Sequence, residues 1–246
     1  MRIAGRLAVA AGLASLAGCG VTHLQSARTT PRGLTRTTIG LGIGRLGDHG
    51  YELDGNVPAI PLDLMVRTGA TDRVDWGLRV LFGIGMLGDV KWNLLDPARA
   101  TALSLSAGLG WSAGPEGWLI HAPLTLTASH SVRSWFTPYA AVGYSTFWAN
   151  GYGDPRPGVT YASRTITGDG LVMLHAGVEL SRATGRAILL EYTVGFPVVN
   201  DPGDFFRFGT NQFISIAFRT GQASDDDDDD GPPPEPEGLP LPDPID

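Results

Sequence analysis

The sequence predicts an all-β chain, and more narrowly an antiparallel up-and-down transmembrane β-barrel of about ten strands, with eight as the other count. Three observations predict it. Apolar residues alternate with small or polar ones through most of the chain, and successive side chains of a strand point to opposite faces. Most of the alternating runs have about the 9–11 residues that a tilted strand needs to cross a bilayer core. No stretch beyond the first segment carries a long 3.6-residue period. The 246 residues, with 34 Gly, 18 Pro and 43% hydrophobic content, suit one sizeable barrel and argue against a disordered chain. A single cysteine excludes an internal disulfide framework.

The strands are expected at 35–45, 57–68, 74–82, 88–95, 101–111, 118–128, 135–148, 171–181, 187–196 and 211–219. In the first, Ile39, Leu41 and Ile43 alternate with glycines. The third and fourth form the least distinct pair, because Gly83, Gly85 and Gly88 mark either a turn or bulges in one long strand. The fifth sets Leu103, Leu105, Ala107, Leu109 and Trp111 against Ser104, Ser106, Gly108 and Gly110. The sixth sets Trp118, Ile120, Ala122, Leu124 and Leu126 against a more polar set containing His121, Thr125 and Thr127. The ninth opposes Ile188, Leu190, Tyr192, Val194 and Phe196 to Glu191 and Thr193, and the last opposes Ile214, Ile216 and Phe218 to Ser215 and Arg219. Parity then puts short connections of about five residues on one side and longer ones on the other, the asymmetry of membrane barrels. It also puts both ends of the barrel chain on the short-turn side.

Alternation alone is shared with a soluble barrel whose apolar face points inward. Two features favour lipid outside. Trp111, Trp118, Trp148, Phe196 and Phe218 share the apolar face near strand ends, where an aromatic girdle belongs. The opposite face collects both charge signs, Asp63, Arg67, Asp75, Arg79, Asp89, Lys91, Glu179 and Glu191, as a polar network that can pair across a narrow lumen. Such balance suggests a plugged interior more than an ion-selective pore.

The ends of the chain read differently. Arg2 and Arg6 flank an apolar run, Leu7 to Ala17, too short to span a bilayer as a helix, so residues 1–18 read as a secretory signal. The signal ends Leu16-Ala17-Gly18-Cys19, which resembles the lipobox of bacterial lipoproteins. That resemblance implies a covalent lipid on Cys19 as the chain's one attached group, and the Gly20 that follows favours the outer membrane over the inner. Residues 19–34, rich in Thr, Ser and Arg, are expected to be a tether. Ten of the 25 acidic residues lie after Gly221, among them the unbroken run Asp225 to Asp230, and residues 220–246 are expected to be a disordered acidic, proline-rich tail. Without that tail and the signal the chain is close to neutral, so no basic field exists to attract nucleic acid.

The region from about Thr35 to Arg219 resembles the small outer-membrane β-barrel proteins of Gram-negative bacteria, on its alternation, strand lengths, aromatic placement and a last strand ending at Phe218. Those proteins commonly end on the aromatic; here 28 residues follow it. The resemblance implies a bacterial outer-membrane location with membrane lipid as the first partner, lipid-anchored and integral. The leading expectation is a non-enzymatic structural or complex-forming envelope component. An envelope protein would meet it through the loop 149–170, with Tyr152, Arg156, Tyr161 and Arg164, or through the acidic tail. The alternative is a lipid-tethered binding or transport barrel for a small ligand, lipocalin-like or a narrow pore. A third reading, an envelope lipid hydrolase, would rest on Ser129-His130-Ser131, whose neighbouring side chains point apart in a strand. No catalytic residue is expected. The five histidines lack metal-ligand spacing, so no metal site is expected either, beyond weak Ca²⁺ contact at the acidic run.

Overall fold

A strand that is apolar on one face and polar on the other must hide one of them, and here the strands do so by closing on themselves. The computed structural model describes residues 23–46, 57–81, 85–114, 117–150, 165–182, 185–198 and 211–221. Among these, eleven strand segments follow in order: β1 (Thr35–Leu46), β2 (Val57–Ala59), β3 (Leu62–Gly69), β4 (Val74–Leu81), β5 (Gly85–Asn93), β6 (Thr101–Gly114), β7 (Gly117–His130), β8 (Phe136–Asn150), β9 (Thr165–Ser181), β10 (Ala187–Val198) and β11 (Asn211–Gly221). From β3 onward each pairs antiparallel with the next in sequence, and β1 pairs with β11 from Arg36↔Gly221 to Arg45↔Gln212, so the sheet is a closed barrel.

The segments β2 and β3 both pair with β1 and form one wall strand, which makes the barrel ten-stranded. The break falls at Pro61, which has no N–H to give the ladder. Its carbonyl still accepts from the Gly42 N–H at 2.8 Å. The region Gly83–Gly88 resolves into two strands, because β4 and β5 pair from Leu81↔Gly85 down to Val74↔Trp92. Pro123 interrupts the ladder between β6 and β7, where pairing skips from Ala107↔Leu124 to Gly110↔His121 without a change of register.

One expectation is corrected at the longest hairpin. The pairing of β8 with β9 runs on through Trp148↔Thr167, Ala149↔Ile166 and Asn150↔Thr165, past a register shift at Phe147/Trp148. The expected loop 149–170 is therefore sheet at both flanks. The reason is local: Thr165, Ile166 and Thr167 are all β-branched and suit a pleated surface. Its proposed contact residues Tyr152, Arg156, Tyr161 and Arg164 lie outside the described residues.

The outward face is apolar throughout. Ile39, Leu41, Ile43, Leu78, Val80, Val90, Leu109, Leu124, Val142, Leu174, Leu190 and Ile214 are all exposed, far more contiguous apolar surface than a water-soluble monomer presents. All six tryptophans point outward too, and they divide between the two rims. Trp111, Trp118 and Trp148 stand at the loop ends of β6, β7 and β8, with Trp148 beside Ile120 and Ile120 beside Trp111. Trp76, Trp92 and Trp135 stand at the turn ends, where Trp135 packs on Phe136 with ring centroids 5.6 Å apart. Phe196 joins the loop-side belt and Phe218 the turn-side belt. Between Trp135 and Trp148 the chain climbs the length of β8, which at about 3.3 Å per residue and a tilt of about 40° is roughly 30 Å of height. Two aromatic belts around an apolar band of that height define a transmembrane β-barrel.

A charged residue at mid-height on the outer face provides a check. Leu124 lies near the middle of β7 and is 50% exposed. Leu124→Arg is expected to lower the unfolding free energy in lipid vesicles by about 2–4 kcal/mol, measured by urea titration with tryptophan fluorescence. A change within about 0.5 kcal/mol, ordinary for an exposed site in water, would mean that this face does not meet lipid.

Candidate functional site

Among the described residues, the lumen is not merely lined by charges but occupied by the chain's own residues 23–30. This corrects the tether expected there. Thr35 and Gly221 do lie together on the short-turn rim, yet the chain before Thr35 turns inward rather than away. His23, Leu24, Gln25, Ser26, Ala27, Thr29 and Thr30 are all buried. The segment has almost no apolar bulk, and its small side chains let its backbone lie close to the wall.

The walls hold that backbone from both ends of the peptide dipole. The Glu191 carboxylate on β10 accepts the His23 and Leu24 N–H groups, each at 2.7 Å. Arg79 on β4 donates to the His23 carbonyl at 2.8 Å. Lys91 on β5 donates to the Ser26 and Arg28 carbonyls at 3.3 and 2.8 Å. The Ala27 N–H reaches Ser129 Oγ on β7 at 3.3 Å, and the Thr30 N–H reaches Asp75 Oδ2 on β4 at 2.7 Å. At the turn rim, Arg28 donates to the carbonyls of Pro97, Arg99 and Ala100, and Thr29 Oγ1 to that of Asp72. From Arg32 the segment joins the sheet through a parallel bridge to Gly69.

Leu24 is the segment's one large apolar side chain. It is 2% exposed and packs with Tyr139, Ala187, Leu189 and Ala217 on the turn-side floor of the lumen. It faces Gly40, where an added Cβ would come within 2.6 Å of Leu24 Cδ1, so the glycine is the notch that receives it. Leu24 has a positive φ of 46°, a conformation costly for a leucine, and the Glu191 carboxylate holds both N–H groups of this bend.

The eight charged residues predicted for the lumen all face it. They pair in two groups. In the first, Arg67 bridges Asp75 and Asp89, with its Nε 3.0 Å from Asp75 Oδ1 and Nη1 2.9 Å from Asp89. Lys91 lies 3.6 Å from Asp75, and Arg79 lies 3.8 Å from Asp63. In the second, Glu179 takes a two-pronged contact from Arg219 at 2.9 and 2.5 Å, while Glu191 receives Tyr139 Oη at 3.0 Å, Thr193 Oγ1 at 3.0 Å and His175 Nδ1 at 3.3 Å. Removing a charge from water costs several kcal/mol unless it finds partners, and these groups find them in one another and in the segment.

Glycines make the reach across strands feasible. Arg67, Gly77 and Asp89 stand abreast on β3, β4 and β5, and the missing side chain in the middle lets Arg67 cross to Asp89. A Cβ on Gly77 would lie 2.6 Å from Asp89 Oδ1 and 2.8 Å from Arg67 Nη1. Tyr139, Gly177 and Glu191 repeat the row on β8, β9 and β10. A Cβ on Gly177 would lie 2.5 Å from Tyr139 Cζ.

Sequence reasoning missed the segment and four wall residues that matter here: Tyr139, Ser129, Thr127 and Arg219. Thr127 meets His23 Nε2 at 2.8 Å. The signal available was parity, since all four fall on the polar face of their strands. Ser129 and His130 do point apart: Ser129 is buried on the segment, whereas His130 is exposed and meets Thr101 Oγ1 at 2.8 Å. Cys19 and the acidic run lie outside the described residues. Two small cavities lie beside the segment among the described residues. One cavity of about 40 Å³ is lined by His23, Arg79, Asp89, Thr125, Met173 and His175, and another of about 20 Å³ lies by Arg36, Thr38 and Lys91. Each has room for no more than a few waters.

An apolar, belted exterior and a charged, filled interior define a transmembrane barrel of the outer-membrane type. No protein-family model matches the chain, and no curated protein sequence matches it. Among solved structures, it is similar to an outer membrane channel from Pseudomonas putida F1, at 8% identity over 79% of this chain and 97% of that one, with a TM-score of 0.46. It is also similar to the outer membrane protease OmpT from Escherichia coli, at 11% identity over 78% and 95%, with a TM-score of 0.41. The Neisserial surface protein A matches at 9% identity over 77% and 99%, with a TM-score of 0.37. The assignment of this chain to a membrane barrel rests on its own two faces.

The ion network generates a second prediction. Arg67→Leu, which strands Asp75 and Asp89, is expected to cost about 3–5 kcal/mol in vesicle unfolding. Combining it with Asp89→Asn is expected to recover part of that loss, because one uncompensated charge is removed with its partner. Equal losses in the single and double variants would mean that Arg67 acts through packing alone.

Proposed function

We propose that the protein is a non-enzymatic, lipid-anchored barrel of the bacterial outer membrane that serves as a structural or complex-forming component of the envelope. The observation that carries this reading is the filled lumen. A barrel that occupies its own bore with residues 23–30, fixed by carboxylates and cations from three wall strands, is built to stay closed. Ser129 and His130 turn to different partners, Ala27 and Thr101, so residues 129–131 form no Ser–His pair. What remains available to a partner is the outer surface. The stretch with Tyr152, Arg156, Tyr161 and Arg164 and the acidic tail are the segments we assign to such contacts, and the lipobox supports acylation of Cys19 as the second membrane attachment.

The reading is tested on the full-length protein in two ways. In planar bilayers it is expected to give no stable conductance steps. A photo-crosslinking residue placed at Tyr161 in cells is expected to capture a discrete envelope protein. Steady open-pore currents, or the absence of any specific adduct from either Tyr161 or the acidic tail, would overturn it. Acylation is read separately: Cys19→Ser is expected to abolish labelling by a palmitate analogue while the barrel still shows its heat-dependent shift on a detergent gel.

The alternative, a binding barrel, is favoured by one specific observation. The groups that hold residues 23–30 contact mainly its backbone, which is how a site recognises a peptide rather than how a core packs.

A further inference from the structure

We propose that the lumen is a binding site for an extended peptide, and that residues 23–30 are its resident and separable ligand. The inference rests on the reading of the barrel as closed by its own segment, and goes beyond it by treating that closure as an occupied site.

The contacts have the character of ligand recognition. Donors and acceptors alternate along the bound backbone: N–H of His23 and Leu24 to Glu191, C=O of His23 from Arg79, N–H of Ala27 to Ser129, C=O of Ser26 and Arg28 from Lys91, and N–H of Thr30 to Asp75. They come from β4, β5, β7 and β10, on different sides of the bore. None is a ladder bond, and the segment enters the sheet only at Arg32. Glu191 and Lys91 are 3% and 2% exposed, and both direct most of their hydrogen bonds at the segment or at groups that touch it. Buried charges aimed at main-chain groups give affinity for any extended backbone, and a few pockets then set preference.

Two pockets do so here. The notch at Gly40 takes Leu24, and Thr127 meets the imidazole of His23. Of the remaining positions, Ser26, Ala27, Thr29 and Thr30 are small, Gln25 meets Lys91, and Arg28 reaches out to the carbonyls of Pro97, Arg99 and Ala100 at the turn rim. The ligand class is therefore an extended peptide with one leucine among small and polar residues, and with a long cation placed to reach the turn rim. The junction with the barrel is suited to release. Gly33 is exposed, has a φ of 77°, and nothing lies within 4 Å of the place a Cβ would take.

The test keeps the full chain through folding. A specific protease site is inserted between Arg32 and Gly33, the protein is folded in detergent and cut, and the heat-dependent gel shift reports whether the barrel persists. The cut segment is expected to remain on the barrel at one to one, and to exchange with an excess of labelled synthetic peptide covering residues 23–32. A peptide N-methylated at the Leu24 amide loses one bond to Glu191 and is expected to compete about tenfold or more weakly. A Gln25→Ala peptide is expected to compete within about threefold, because its main-chain contacts are intact. Loss of the segment on cutting, with no rebinding of added peptide to a barrel that still shifts, would overturn the proposal. So would collapse of the barrel on cutting, or a retained segment that no excess of peptide displaces. Equal competition by the N-methylated peptide would overturn recognition through the backbone.

Discussion

The Glu191 carboxylate is the constraint on which the interior depends. It sits in the barrel with almost no access to water and accepts from two main-chain N–H groups, a phenol, a threonine hydroxyl and an imidazole. An anion in such a place is stable only while its donors are present. Three of those donors belong to the wall and two to the segment that fills it. The carboxylate thereby ties the position of residues 23 and 24 to the geometry of β8, β9 and β10, and through Leu24 to Gly40 on β1. The second anchor, the cluster of Arg67, Asp75, Asp89 and Lys91, fixes the other half of the segment to β3, β4 and β5 in the same manner. The wall supplies charge that its own strands cannot fully satisfy, and the segment supplies the missing main-chain partners.

Much of the wall was legible in the sequence because alternation has a single meaning for a strand. Leu109 outside and Ser106 inside follow from parity once one residue of β6 is placed. The ten strands and their order needed no more than that, apart from the β8–β9 hairpin, where alternation weakens around Gly168 and Gly170 and the register shift breaks the count. The inward charges were legible for the same reason, although their pairing was not: Arg67 reaches Asp89 across an intervening strand, and nothing in a linear pattern announces which residues stand abreast. The segment itself was illegible. His-Leu-Gln-Ser-Ala-Arg-Thr-Thr has neither period nor bulk, and its composition is that of a linker. What gives it a fixed structure is the wall around it, which is assembled from residues up to 168 positions away.

The glycines on the inner face have two distinct uses. Gly40 leaves a recess for a side chain of the segment, whereas Gly77 and Gly177 leave a gap over which a neighbour's side chain passes to a third strand. A barrel lumen is narrow, and interior volume decides how many polar groups can meet in it. By placing the smallest residue between the two partners of a long-range contact, the wall converts a row of three strands into a direct bond between the outer two. Such bonds resist shear between neighbouring strands, which ladder hydrogen bonds alone limit only along the strand direction.

The position of the segment, immediately before β1, bears on how the molecule is put together. The barrel closes where β1 meets β11, the first strand against the last, so this seam is complete only when the whole chain is available. Residues 23–30 lie in the space that this seam encloses, and two cavities beside them among the described residues have room for only a few waters each. The segment touches β4, β5, β7 and β10, strands spread around the bore, so its full set of contacts exists only where the sheet has curved to bring those strands together.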